Sequence, residues 1–266
     1  MTRLGIIGTG RLGATLLRAA ATHAPEIELT AASRDPARID ALRREIPDLA
    51  SASPEVLGRT ADLVVLCVPP EAYLALVERI APHLGPRAIV ISVTNAVSLA
   101  DIAERVRAPV VKVIPTLAHV VGRGVSLLFA GPGAQPEHME SVRRVFARFS
   151  MPVQIDEGDD HDGRVASNVA GSALALFAAL CDTFVCANAA RTQTLERAAL
   201  DAMMAETVAA VAALAKAGYG WSDIVHATAT PGGMTQAALD VLMRDFPRVA
   251  HDMVEATFAR QAAIRN

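Results

Sequence analysis

Aromatic residues and cysteines are scarce in this sequence, and neither sign of charge dominates. The 266 residues include one Trp, two Tyr and seven Phe, although 52% of them are hydrophobic. Small aliphatic side chains therefore supply the apolar content, which is typical of packed helices and argues against a disordered chain. The 25 basic and 28 acidic side chains give a net charge of −3 and form no long block of one sign. We therefore expect no nucleic-acid partner and no polybasic membrane contact.

The cysteine pattern indicates a reducing environment. Cys67, Cys181 and Cys186 form no CxxC pair, and an odd number leaves no full disulfide set. We interpret them as reduced thiols and expect a cytoplasmic protein without a secretion signal. The most apolar stretch, residues 169–180, is shorter than the roughly 20 residues that cross a bilayer, so no membrane span is expected.

Two kinds of pattern divide the chain. Short β-type runs alternate with helical patterns up to about residue 157, which predicts an α/β fold with a parallel sheet covered by helices. From residue 158 to 266 the β pattern is absent, and Ala-, Leu- and Met-rich sequence predicts an all-α domain. The predicted strands are residues 4–7, 28–32, 63–68, 88–92, 110–114 and 126–130.

One segment of the helical half predicts an assembly. Residues 166–190 are apolar around most of a helical circumference, whereas the outer helix of a monomer shows a polar face. A second copy of the chain would bury such a helix, so we expect a homodimer or a higher homo-oligomer. A central helix wrapped entirely by its own chain is the alternative.

A glycine motif follows the first predicted strand and opens an amphipathic helix. This strand-turn-helix context makes the GxGxxG pattern a Rossmann-type dinucleotide-binding signal, in which the helix start binds the pyrophosphate. The predicted cofactor-binding residues of this motif are Gly8, Thr9, Gly10, Arg11, Leu12 and Gly13.

The end of the second predicted strand favours NADPH over NADH. Ser33 and Arg34 offer a hydroxyl and a guanidinium, which suit a ribose 2′-phosphate, whereas NAD sites carry an acidic residue there. Asp35 precedes a proline, which predicts that its side chain caps the next helix instead. Val68, Pro69 and Pro70, after the strand predicted at 63–68, are expected to lie beside the cofactor.

Four motifs follow one another along the chain: GIIGTGRLG at the start, LVVLCVPPEAY at 63–73, VKVIPTLAHVVGRGVSLL at 111–128 and TPGGMT at 230–235. They resemble those of pyrroline-5-carboxylate reductase, and TPGGMT is similar to the family's SPGGTT signature. The resemblance spans nearly the whole chain in the family's order. It implies a Rossmann-type domain followed by a helical dimerisation domain, and hydride transfer from NAD(P)H to the C=N bond of a cyclic imino acid.

The resemblance also implies a substrate site in the second domain. It assigns the substrate carboxylate to the loop that contains Thr230, Gly232, Gly233 and Thr235. Thr235 matches the catalytic hydroxyl that hydrogen-bonds the imine nitrogen. The residues themselves agree with this role, because a Pro-Gly-Gly turn at a helix start exposes N–H groups to an anion.

Other segments depart from the family pattern and leave the substrate open. PNTP is replaced by PTLA at 115–118, and SGSGPAY by SNVAGSA at 167–173. A hydroxy or keto acid dehydrogenase, in which His119 is the candidate proton donor, and a non-catalytic NADP-binding regulatory protein are the alternatives. No metal is expected, because adjacent residues such as Asp159, Asp160, His161 and Asp162 on one helix cannot converge on an ion.

Overall fold

The computed structural model describes residues 2–156 and 160–265. The chain divides into two compact units, Met1–Gly171 and Ser172–Asn266. This division lies within the helical sequence, later than the predicted boundary between residues 157 and 158, which stays a prediction.

The first unit contains an eight-stranded sheet in the order β3-β2-β1-β4-β5-β6-β7-β8. The eight strands form seven neighbouring pairs. Six pairs are parallel, and the β6–β7 pair is antiparallel. The α/β prediction is therefore confirmed for a mostly parallel sheet. The strands are β1 Arg3–Ile7, β2 Glu28–Ala32, β3 Ala50–Ser51, β4 Leu63–Leu66, β5 Ile89–Ser92, β6 Val110–Ile114, β7 Val125–Ala130 and β8 Met151–Gln154.

Two strands were not predicted, and one predicted strand was too long. The two-residue strand β3 is too short to show a period, and β8 contains Pro152, which weakens a strand pattern. The strand predicted at 63–68 ends at Leu66, because Val68 precedes two prolines that lack an N–H for the ladder.

The helices of the first unit cover both faces of the sheet. In β4, Leu63 and Val65 belong to one hydrophobic core, while Val64 and Leu66 belong to the other. A sheet buried on both faces requires such continuous apolar strands. The helices of this unit are α1 Arg11–His23, α2 Pro36–Glu45, α3 Pro54–Thr60, α4 Tyr73–Ile80, α5 Leu99–Ala103, α6 Pro136–Phe146 and α7 Asp160–Ser167.

Side-chain caps begin several of these helices, and the sequence predicts the one at Asp35. The Asp35 carboxylate accepts a hydrogen bond from the Ala37 N–H at 3.0 Å, and Pro36 is the first residue of α2. The Ser98 hydroxyl accepts from the Asp101 N–H at 3.0 Å at the start of α5. Each cap satisfies an N–H that has no partner within its own helix.

Among its described residues, the second unit contains helices joined by short connections and no strand. A π-helical turn, Asn168–Ser172, leads from α7 into α8 Ala173–Ala189. The helices α9 Arg197–Lys216, α10 Trp221–Thr228 and α11 Met234–Arg265 follow. The helix α8 has one buried residue, Val185, and α9 has none. These apolar helices therefore do not bury each other within one copy of the chain.

Candidate functional site

The strand order places a crevice between β1 and β4. The chain passes from β1 to β2 and β3 on one side, and β4 then pairs with the opposite side of β1. In open α/β sheets, dinucleotides bind at this point, outside the carboxyl ends of the strands. The glycine motif follows β1, Ser33 and Arg34 follow β2, and residues 67–70 follow β4. The first unit thus brings all its predicted cofactor-binding residues to one sheet edge.

Two of the three glycines in the glycine turn have no room for a side chain. Gly8 has a φ of +103°, and a Cβ there would lie 2.2 Å from the Cys67 carbonyl oxygen. A Cβ on Gly13 would lie 1.9 Å from the Gly8 carbonyl oxygen, because α1 packs directly on the turn. A Cβ on Gly10 would have no neighbour within 4 Å. Gly10 therefore faces open space, which a pyrophosphate requires for close approach to the backbone.

The N-terminus of α1 has no side-chain cap and no acidic residue in its first turn. Gly10 is the N-cap residue and has no side chain to cap the helix, and the first turn contains no acidic residue. Arg11 begins the helix and is exposed, and Leu12 follows it half-buried. The unpaired N–H groups and the positive end of the helix dipole make this terminus suitable for an anion.

The end of β2 is linked to the glycine turn by a hydrogen bond. The Thr9 hydroxyl donates to Ser33 Oγ at 2.8 Å, and Ser33 Oγ also accepts from the Asp35 N–H at 3.2 Å. Arg34 is exposed beside them. Asp35 caps α2 and lies 3.5 Å from the Arg38 guanidinium, so its charge is partly compensated within the helix.

The segment after β4 presents an apolar wall. Val68 is half-buried, Pro69 and Pro70 are exposed, and Pro70 opens a short 3-10 helix. Burial raises the pKa of the Cys67 thiol to about 12. Cys67 is therefore a neutral packing residue under the glycine turn, in agreement with the prediction of a reduced, structural thiol.

Sequence reasoning missed a buried tyrosine at the same edge. Tyr73 is 0% exposed, and its hydroxyl lies 3.1 Å from the Leu66 carbonyl oxygen and 3.0 Å from Ser92 Oγ. The Val93 N–H donates to the same oxygen at 3.3 Å. An apolar helical pattern gives no signal for this role, since a tyrosine in it is indistinguishable from any core residue.

The predicted substrate loop lies in the second unit, between α10 and α11. Gly232 has a φ of +74°, and the Gly233 N–H donates to the Thr230 carbonyl oxygen at 2.9 Å. The turn leads into α11, whose second residue is Thr235, and both threonine side chains are exposed. The first N–H groups of α11 lack partners within the helix and are available to an anion. Their use by a substrate stays a prediction.

The structure contradicts the role considered for His119. Its side chain is 0% exposed, Nδ1 lies 3.2 Å from the Arg123 carbonyl oxygen, and Nε2 lies 2.8 Å from Ser126 Oγ. A carbonyl only accepts, so Nδ1 carries the proton and Nε2 accepts from the serine hydroxyl. Burial lowers the pKa of His119 to about 4. His119 is therefore a neutral, internally bonded residue and not a proton donor to a substrate.

The structure offers no metal centre in the part of the chain that it describes, where no three His, Cys, Asp or Glu side chains converge. Asp159, in the acidic segment considered above, lies outside the described residues. The segment continues into α7, which begins at Asp160.

Two helical segments of the described chain are long and apolar enough to cross a membrane. They are Asp162–Ala189, with a mean hydropathy of 1.9, and Arg197–Lys216, with 1.6. Length and composition alone define this property, and core helices of soluble proteins share it. Both are largely exposed in a single copy of the chain. The helix that contains residues 169–180 is thus longer than the apolar stretch considered from the sequence, because it extends to both sides of it.

Two family descriptions match the chain. Residues 3–96 match the family described as NADP oxidoreductase coenzyme F420-dependent. Residues 161–264 match the family described as pyrroline-5-carboxylate reductase dimerisation. The two matches lie on either side of the sequence boundary, and the second covers the exposed apolar helices. The chain is accordingly an NAD(P)-type oxidoreductase, and its residues 161–264 resemble a dimerisation region.

Full-length relatives support the same conclusion. The chain is 23% identical to pyrroline-5-carboxylate reductase 3 of Bacillus subtilis over 263 residues, which cover 98% of this chain and 96% of the relative. It is 26% identical to pyrroline-5-carboxylate reductase of Mycobacterium tuberculosis over 292 residues, covering 100% of this chain and 97% of the relative.

A solved structure has the same fold. Plasmodium falciparum pyrroline carboxylate reductase with NADP bound superposes with a TM-score of 0.84 at 20% identity, covering 100% of this chain and 98% of the other. Both predicted parts, the α/β domain and the helical domain, are thus found together in one known architecture. The two family matches and the full-length relatives together support the assignment of this chain to the pyrroline-5-carboxylate reductase family.

Proposed function

We propose that this chain is an NADPH-dependent reductase of a cyclic imino acid, acting in proline-type biosynthesis. The observation that carries the proposal is the presence, in one chain, of an open glycine turn at β1 and a hydroxyl-flanked helix start at Thr235. The first suits a dinucleotide, and the second suits a small carboxylate beside a hydrogen-bond acceptor. The names of the full-length relatives agree with this substrate class.

The residues of the chain would divide the work between binding and orientation. A bound reduced nicotinamide supplies a hydride, whose electron pair forms the new C–H bond while the C=N π electrons move to nitrogen. The turn at Gly232 and Gly233 and the first N–H groups of α11 would hold the substrate carboxylate. The Thr235 hydroxyl would hydrogen-bond the nitrogen. A protonated imine is already electrophilic, so orientation suffices without a strong general acid.

NADPH is the proposed cofactor. Ser33 and Arg34 provide a hydroxyl and an exposed guanidinium at the end of β2, where a 2′-phosphate would lie. Asp35, the acidic residue nearby, is engaged as the cap of α2. A guanidinium also matches phosphate geometry with two parallel hydrogen bonds.

We propose a homodimer in the cytoplasm. Phe177 and Phe184 on α8 are 64% and 61% exposed in the single chain, and Met203 on α9 is 55% exposed. A second copy would remove these apolar side chains from water. The three free cysteines agree with a reducing compartment.

An activity assay tests the proposal. Absorbance of the reduced nicotinamide is followed with pyrroline-5-carboxylate, a piperideine carboxylate and a panel of keto acids. We expect oxidation of NADPH with a cyclic imino acid and none with keto acids. The reverse selectivity would indicate a hydroxy or keto acid dehydrogenase. NADPH binding without turnover of any substrate would indicate a regulatory protein.

A threonine variant tests the substrate site. Thr235→Ala is expected to lower turnover about tenfold to a hundredfold with NADPH affinity unchanged, because a hydrogen bond to the reacting atom is lost. Thr207→Ala is the matched control, since the Thr207 hydroxyl only donates to the Met203 carbonyl oxygen within α9. Unaltered turnover in Thr235→Ala would refute the assignment of this residue.

A further inference from the structure

Tyr73 connects the carboxyl ends of two neighbouring strands. Leu66 ends β4 and Ser92 ends β5, and the two residues are paired in the parallel ladder. The Tyr73 hydroxyl contacts both of them and also the N–H of Val93, the first residue after β5. The side chain is fully buried at the start of α4.

The hydrogen-bonding capacity of the phenol is fully used at this position. A phenol has one proton and accepts two hydrogen bonds. Because a carbonyl only accepts, the proton goes to the Leu66 oxygen, and the Ser92 hydroxyl and the Val93 N–H both donate to the phenol oxygen. Burial raises the pKa of Tyr73 to about 12, so the proton is retained throughout the neutral range. Buried networks in which every member is satisfied are rigid.

This hydrogen-bond network lies at the carboxyl ends of β4 and β5, the edge of the sheet where the cofactor is proposed to bind. The 2′-phosphate end of the cofactor is assigned to β2 and the pyrophosphate to β1. The order β2-β1-β4-β5 then directs the remaining half of an extended dinucleotide over the ends of β4 and β5. The loops there are residues 67–70 and 93–95, which include half-buried Val68 and Thr94.

We propose that Tyr73 is the positioning residue for the nicotinamide half of the cofactor. It fixes the two loops, 67–70 and 93–95, that flank this half, and it touches neither cofactor nor substrate. This inference rests on the proposed dinucleotide site. It adds a residue and a loop, 93–95, to that site.

The test compares binding of the whole cofactor with binding of its adenosine half. Tyr73→Phe keeps the ring and removes the hydroxyl. We expect the dissociation constant for NADPH to rise about tenfold, while that for 2′,5′-ADP changes by less than about twofold. Both are measured by titration of the purified full-length protein. Tyr219→Phe is the matched control, because Tyr219 is the other tyrosine of the chain and is 54% exposed.

The outcomes separate this inference from a merely structural role. Equal weakening of NADPH and 2′,5′-ADP, or no weakening of either, would overturn it. If Tyr73→Phe does not fold, Ser92→Ala carries the same test with a smaller expected loss, since it removes one of the three partners. A wild type that binds neither NADPH nor NADH would overturn the proposed function itself. If the wild type binds NADPH and the Tyr73→Phe variant binds it equally tightly, this inference alone is overturned.

Discussion

Gly10 and Gly13 differ in what an added methyl group would contact. At Gly13 it would collide with the Gly8 carbonyl oxygen, whereas at Gly10 it would enter open space. Gly13→Ala is therefore expected to reduce the free energy of unfolding by about 2 kcal/mol or more, through forced backbone shifts. Gly10→Ala is expected to reduce it by less than about 1 kcal/mol, as for a modest change at an N-cap.

The two variants are distinguished by thermal unfolding and NADPH titration. Gly10→Ala should unfold close to the wild type and yet bind NADPH at least tenfold more weakly, because the methyl group occupies the space of the pyrophosphate. If Gly10→Ala binds NADPH as tightly as the wild type does, the cofactor does not approach this turn.

His119 makes the free energy of unfolding depend on pH. Its pKa is about 4 in the folded chain and near 6.5 when unfolded. The unfolded chain therefore binds more protons between these values, and stability falls as the pH decreases from 6.5 to 4. The expected loss is on the order of 3 kcal/mol. The full loss of stability is reached below the pKa of His119 in the folded chain, about 4.

Urea unfolding at pH 7 and pH 4.5 measures this loss. His119→Gln has no titrating ring and is expected to lose less stability than the wild type over the same interval. An equal loss in both proteins would show that other groups account for the acid sensitivity. Proton donation by His119 is not expected to influence turnover at any pH, because the ring is buried among its own partners.

At the level of elements, Arg34 at the end of β2 should strengthen NADPH binding, whereas the charge of Asp35 at the start of α2 should weaken it. Arg34→Ala removes a cation from the proposed 2′-phosphate site and should weaken NADPH binding about tenfold with NADH unchanged. Asp35→Asn removes a negative charge but keeps an N-cap, since Asn caps helices as well as Asp does. NADPH should then bind a few-fold more tightly.

Competition titrations with NADPH and NADH check both changes. Asp35→Ala serves as the control, because it removes the charge and the cap together and should also destabilise α2 by about 1 kcal/mol. A loss of NADH binding in Arg34→Ala equal to the loss of NADPH binding would contradict the assignment of Arg34 to the 2′-phosphate.

The elements that sequence could predict are those with strong local signals. The cap at Asp35 was predicted from its side-chain chemistry beside a proline, and the structure confirms it. The direction of β7 was not predictable, because alternation of apolar residues is the same in parallel and antiparallel strands. The short edge strand β3 has too few residues for any period.

In the candidate site, too, the parts with a local sequence pattern were the ones that could be predicted. A glycine turn between strand and helix has a local sequence pattern, so Gly8, Gly10 and Gly13 were found directly. Tyr73 was missed because two of its partners, Ser92 and Val93, are 19 and 20 residues away and the third, Leu66, contributes only a backbone carbonyl. The enclosure of the His119 ring could not be predicted, since only the tertiary structure places the Arg123 carbonyl and the Ser126 hydroxyl beside it.

At the level of the whole molecule, the exposed apolar helices α8 and α9 form the proposed dimer surface. Phe184→Asp places a charge on α8 where 61% of the phenylalanine is exposed in one copy. We expect it to convert a dimer into monomers or aggregates, because an unpaired charge in an apolar interface is costly. Val56→Asp, on α3 of the first unit, is the control and should leave the dimer intact.

Sedimentation in buffer without detergent measures the assembly. A wild type with twice the mass of the chain supports association through these helices. A wild type that remains in solution only with detergent would instead indicate that Asp162–Ala189 and Arg197–Lys216 enter a membrane.

Isotope transfer tests the central claim most directly. NADPH in which both hydrogens of the reactive ring carbon are replaced by deuterium is incubated with the enzyme and pyrroline-5-carboxylate, and the product is analysed by mass spectrometry. Reduction of the C=N bond predicts a cyclic amino acid that is one deuterium heavier, with the label on the former imine carbon. A product without the label, or no product while NADPH binds, would contradict the account of this chain as an imine reductase.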